Sequence, residues 1–125
     1  MNLPEFDLFV VEGASYDLLV TLSENGVAVP LTGYTFEGTV KESYADNASL
    51  RATMTCSIVD AAKGQVKLSL SKTQTEGLFP NASELRGAST GGVWDVFYNT
   101  QSGARHYLLG GKVRFKQTAT KAGGL

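Results

Sequence analysis

Cys56 and His106 are the one cysteine and the one histidine of the chain, and they form the only combination able to set a thiol nucleophile beside an imidazole base. Glu37 and Asp95 offer a second chemistry, a carboxylate pair flanking a glycosidic bond at roughly 5–9.5 Å. Asp46-Asn47 is an acidic dipeptide with oxygen ligands, and Trp94, Tyr98 and Tyr107 supply rings that stack on sugars. Each group also has a plainer reading. Cys56 alternates with Ala52, Met54 and Ile58, which puts it on the apolar face of a strand, where a free thiol behaves as a small hydrophobe. His106 reads as a surface strand residue beside Tyr107, and acids at alternate strand positions belong to a solvated face. A tryptophan on such a strand fills a sandwich core. Asp46-Asn47 lacks the ligand spacing of a calcium loop, and no Cys/His spacing suits zinc. Gly110-Gly111 opens no helix and reads as a bulge or bend rather than a phosphate cradle. Asn47-Ala48-Ser49 and Asn81-Ala82-Ser83 match the glycosylation pattern but are more simply loop composition. The residue types therefore predict no catalytic group, no metal and no cofactor.

The elements that must position these residues are short alternating segments, separated by turns at intervals of about 8–12 residues. Phe6–Val11 and Ser15–Leu22 read as strands around Gly13, the second placing Tyr16, Leu18, Val20 and Leu22 on one face. Asn25-Gly26 predicts a tight type I′ hairpin whose return strand is Val27–Val29, cut short by Pro30. Strands follow at Tyr34–Val40, at Arg51–Ile58, at Val66–Leu70 after a turn at Asp60–Gly64, at Val93–Tyr98, at Arg105–Leu109 and at Val113–Phe115. Ser71-Lys72-Thr73-Gln74 has the form of a capping box, in which serine and glutamine satisfy orphan amides, and predicts one short helical crossing through Leu78. Tyr44–Leu50 and Asn81–Gly92 lack periodicity and read as loops, the second being the best candidate for an exposed interface. The fold class that follows is all-β, a single antiparallel β-sandwich of about seven or eight strands. Residues 1–117 form the domain and 118–125 a flexible or partner-ordered tail.

With 125 residues, 42% of them hydrophobic and 18% charged, the chain suits one core and excludes a multi-domain enzyme or a disordered tail. The N-terminus lacks a basic n-region, and no apolar run approaches the roughly 20 residues of a membrane span. Synthesis in a cytosol is expected. The net charge of −1 conceals an asymmetry: residues 1–60 carry nine acids and two bases (−7), and residues 61–125 carry three acids and nine bases (+6). Either acidic and basic strands lie side by side, or faces of opposite sign favour head-to-tail contacts between subunits. The bases are scattered over strands rather than clustered with aromatics, which speaks against nucleic acid.

Four segments taken in order, Val29-Pro30-Leu31-Thr32-Gly33-Tyr34-Thr35-Phe36, Gly64-Gln65-Val66-Lys67-Leu68-Ser69-Leu70-Ser71, Trp94-Asp95-Val96-Phe97 and Arg105-His106-Tyr107-Leu108-Leu109-Gly110-Gly111-Lys112-Val113, carry a resemblance to a known family. Together they resemble short tailed-bacteriophage structural proteins, similar to the N-terminal immunoglobulin-like domain of phage upper-baseplate proteins. Two departures stand out: the Asn81–Gly92 insertion is longer than a tight turn, and the chain ends where longer relatives continue into fibre or receptor-binding parts. The resemblance implies a noncatalytic virion structural protein made in the host cytoplasm, present in multiple copies or as a homo-oligomer, and in contact with other virion proteins. A tail, baseplate or fibre-anchoring position is expected, with capsid decoration or a head fibre as one alternative and a host-glycan-binding module as another. Tyr44, Phe79, Leu85 and Leu125 are the expected interface residues, because they are apolar groups in segments that the sandwich does not need.

Overall fold

The computed structural model describes residues 5–79, 88–116 and 118. Among these residues, nine strands and one helix follow in chain order: β1 (Leu8–Val11), β2 (Tyr16–Thr21), β3 (Ser23–Glu24), β4 (Val27–Ala28), β5 (Thr35–Lys41), β6 (Leu50–Asp60), β7 (Gln65–Leu70), α1 (Lys72–Thr75), β8 (Ala88–Asn99) and β9 (Arg105–Lys116). Seven of the strands hydrogen-bond in the order β1-β9-β8-β5-β6-β7-β2, and β3 pairs with β4. The long strand β6 divides its length between two layers. Its first half pairs with β5, Gly38 opposite Met54, and its second half pairs with β7, Thr55 opposite Ser69. One layer is thus β1-β9-β8-β5-β6 and the other β6-β7-β2, the expected immunoglobulin-like all-β sandwich with a single short helix.

Alternation explains the core. Val66, Leu68 and Leu70 of β7, Trp94 and Val96 of β8, Val113 and Phe115 of β9 and Leu8 and Val10 of β1 all point inward and are fully buried. The β3–β4 turn is built as its sequence requires, with Asn25 at φ 53° and Gly26 at φ 78°, both in the left-handed region that a type I′ turn needs. Ser71 caps α1: its hydroxyl accepts from the Gln74 N–H at 3.1 Å, and the Gln74 side chain accepts from the Ser71 N–H at 2.9 Å. The buried Thr75 ties α1 to the β1–β2 turn, its hydroxyl accepting from the Gly13 N–H at 3.0 Å and lying 2.9 Å from the Ala14 carbonyl.

Three local expectations change. β1 joins β9 in parallel, Leu8 opposite Val113, so the sandwich is not wholly antiparallel. Pairing with β9 extends β8 back to Ala88, into what the sequence presents as a loop; β9 supplies the alternation there, and Ala88-Ser89-Thr90-Gly91-Gly92 needs none of its own. Gly110 and Gly111 do not interrupt the strand, since β9 continues through both. They are places of close approach: a Cβ on Gly111 would lie 2.7 Å from the Phe6 carbonyl oxygen, and one on Gly110 would lie 2.6 Å from that of Trp94. The approach secures the N-terminal strand, because the Trp94 indole N–H donates to the Phe6 carbonyl at 2.7 Å and the Phe6 N–H to the Gly110 carbonyl at 2.9 Å.

Candidate interaction surface

On the solvent side of the five-stranded layer, alternation on β8 presents Val93, Asp95 and Phe97, with Glu37, Thr39 and Lys41 of β5 beside them. β9 completes the patch through a bulge. Leu109 lies opposite Val96 but Tyr107 opposite Phe97, so Leu108 is an extra residue that reverses the alternation. Tyr107 thereby reaches the outer face and meets Phe97 edge to face, with centroids 5.7 Å apart. His106 goes to the opposite side, where its ring lies 5.2 Å from that of Tyr98.

Arg105 lies over Phe97, its guanidinium carbon 3.8 Å from the ring centroid, and its Nε stands 3.6 Å from Glu37 Oε1. The Asn99 amide donates to the same Glu37 oxygen and to the Thr35 hydroxyl, both at 3.2 Å. The 42–49 loop brings Tyr44 over the glycine pair. Its hydroxyl donates to the Gly111 carbonyl at 3.5 Å while the residue stays 65% exposed. The loop is held by the Lys41 ammonium donating to the Ala45 carbonyl at 3.1 Å and by the Glu42 N–H donating to the Ser49 carbonyl at 3.1 Å.

The surroundings raise both phenols above their ordinary value. Burial raises the Tyr44 pKa, and the carboxylates of Asp95, Glu5 and Asp7 add to the effect. Tyr107 is raised by burial, then by Tyr44, Asp95 and Glu5. Burial also raises Asp95, offset in part by the cations Arg105 and Lys41. The surface therefore combines aromatic rings, two phenols and a guanidinium placed over a ring, and aromatic residues and arginine are the types that concentrate where proteins bind proteins.

Among the described residues, Tyr44 is the expected interface residue that this surface includes. Phe79 is corrected: it is 6% exposed, packs edge-on against Phe115 at 5.4 Å and lies over the Gly91-Gly92 backbone, so the core and not a partner covers it. Leu85, Leu125 and the tail apart from Thr118 lie outside the described residues. The surface residues that sequence reasoning passed over are Phe97 and Arg105. Alternation about Trp94 marks Phe97 as outward-facing; the bulge that brings Tyr107 to it leaves no sign in the sequence.

The other candidate groups disperse. Cys56 is half-buried and pushed above the usual thiol value by burial, and β5 and β8 separate its strand from the strand of His106. Glu37 and Asp95 share the outer face, but Arg105 and Asn99 already engage Glu37. Trp94 is 1% exposed and shares no face with Tyr107, which dissolves the expected sugar platform. Tyr98 stacks on Tyr34 at 5.7 Å and, with His106, lines an open groove of about 880 Å³ at one end of the sandwich. Among the described residues, no cluster of three or more His, Cys, Asp or Glu could hold a metal ion, and no helix is long and apolar enough to cross a membrane.

No family model matches the chain, and no curated protein does. Solved structures similar to it include extracellular domains of the voltage-gated sodium channel β4 subunit, described as parallel homodimers that explain a role in cell–cell adhesion. That match has 12% identity and a TM-score of 0.46 and covers 91% of this chain and 92% of the other. A second, from photo-crosslinking work on multimeric cell-adhesive interactions of sodium channel β subunits, has 10% identity and a TM-score of 0.45, covering 91% and 92%. The expectation of a phage virion component, whether in the tail, baseplate or fibre, on the capsid or as a binder of host glycans, is corrected here. The solved structures it resembles are sodium channel β subunits rather than phage proteins, and no family model matches the chain.

Proposed function

We propose that the chain is a noncatalytic protein-contact domain whose binding surface is the outer face of β9, β8 and β5 around Phe97, Tyr107, Tyr44 and Arg105. The observation that supports this is the ring cluster itself. A solvated sheet face is ordinarily polar, yet here two aromatic residues meet edge to face under an arginine, with the Tyr44 hydroxyl at the Gly111 carbonyl on the same strand. Aromatic residues and arginine supply most of the energy of protein interfaces, because they bury large areas while ordering few rotatable bonds. The dispersal of Cys56, His106 and the strand acids supports a role without catalysis.

The test is site-specific photo-crosslinking in the source cells, with the photoreactive residue at Tyr107, at Tyr44 or, as a control on the outer face of the other layer, at Lys67. Discrete protein adducts at Tyr107 and Tyr44, absent at Lys67 and lost when Phe97→Ala and Arg105→Ala are combined, are the expected outcome. Adducts equal at all three positions, or none at Tyr107 and Tyr44, would overturn the reading.

A further inference from the structure

We infer that the chain forms a twofold dimer by antiparallel pairing of the free edge of β6, Thr55–Val59, with the same edge of a second copy. This surface is separate from the outer-face patch and stands without it. Serving two layers makes β6 a fork with a notch on each side. On the β7 side, where pairing begins only at Thr55, the Gln74 side-chain amide fills the notch by donating to the Thr53 carbonyl at 2.8 Å. On the β5 side, pairing with β6 ends at Gly38 opposite Met54, and Thr35–Glu37 pair with β8 alone. No described strand takes up the edge of β6 beyond that point.

Burial records the opening. It alternates along β6 as far as Cys56, after which Ser57, Ile58 and Val59 are exposed in succession, Ile58 at 41% and Val59 at 55%. Ile58 lies in the same inward row as the fully buried Val66, so its exposure comes from the missing neighbour strand and not from facing solvent. The backbone there carries unpaired donors and acceptors, a template for strand addition.

The chemistry selects a second copy as occupant. Edges that stay single carry lysine, proline, inward charge or a bulge; Thr55-Cys56-Ser57-Ile58 carries none of these and is rich in strand-forming types, and the bulge at Val59 marks where the regular edge ends. The other edges are guarded, β2 by Asp17 and the four-residue β1 by flanking Asp7 and Glu12. An uncharged edge set against itself opposes no like charges. A twofold axis normal to the sheet puts the same face of both strands on the same side. The Cys56 and Ile58 side chains of two copies then form one apolar row, with Ser57 opposite.

Sedimentation of the full chain over a concentration series tests this, with Ser57→Lys and Ile58→Lys as edge variants and Leu19→Lys, exposed on β2, as the control. Wild type and the control are expected to dimerise, both edge variants to stay monomeric with unchanged circular dichroism, and the Thr55–Val59 amides to gain hydrogen-exchange protection as the dimer forms. A wild-type monomer at every concentration, a dimer indifferent to Ser57→Lys, or one that leaves those amides unprotected would overturn the inference.

Discussion

Trp94 is the largest side chain in the core and also a donor, because burying an indole requires a partner for its N–H, which the Phe6 carbonyl supplies at 2.7 Å. Trp94→Phe keeps most of the apolar bulk and strands that carbonyl, so it is expected to cost about 1–3 kcal/mol in urea unfolding. Asp95 makes the opposite case. Burial raises its pKa, with Arg105 and Lys41 offsetting part of the rise. A carboxyl raised on folding favours the folded state most when protonated, below the unfolded value of about 3.9, and that contribution is lost as pH rises through the folded value. Asp95→Asn should therefore raise the thermal midpoint at neutral pH and lose its advantage in acid, as a pair of melting curves would show. The inward placement of Cys56 and Trp94 was legible from alternation alone. That of Phe79 was not, because a residue beyond a helix end has no period to read, and only Phe115 and the Gly91-Gly92 backbone determine where it packs.

At the scale of elements, local chemistry foretold the Asn25-Gly26 hairpin and the Ser71–Gln74 cap, since a turn or a cap is decided by residues adjacent in sequence. Elements whose form depends on a distant strand were harder to foresee. The first residues of β8 become a strand because β9 lies beside them, and the bulge at Leu108 moves Tyr107 to the outer face without any glycine or proline to announce it. The Gly110-Gly111 pair was visible, but its purpose was not: Gly111 clears room for the N-terminal segment at Phe6, and Gly110 for the β8 backbone at Trp94. Gly111→Ala is accordingly expected to free β1 while leaving β5, β7 and β8 intact. Hydrogen exchange should show Leu8–Val11 losing protection selectively, and uniform protection across all strands would show that the backbone absorbs the methyl group.

For the molecule as a whole, the opposed charges of its two halves resolve into neighbouring strands. Arg114 of β9 stands 3.7 Å from Asp7 beside β1, and Arg105 of β9 stands 3.6 Å from Glu37 of β5, each joining a base of the second half to an acid of the first. Both pairs are largely solvated, so raising salt from low to molar should change unfolding free energy by less than about 1 kcal/mol per pair, readable from urea curves at two ionic strengths. The sandwich was legible because its strands alternate; the sharing of β6 between layers was not, because one unbroken pattern serves both. The parallel union of β1 and β9 has a consequence under tension. Glu5 bridges to Gly110 at one end of the pair, and Val11 lies opposite Lys116 at the other, so the chain enters at one end and leaves at the opposite one. A pull on the two chain ends loads the hydrogen bonds between these strands side by side in shear, where they yield together. Such a pull has to break the whole β1–β9 ladder at once rather than unzip it bond by bond.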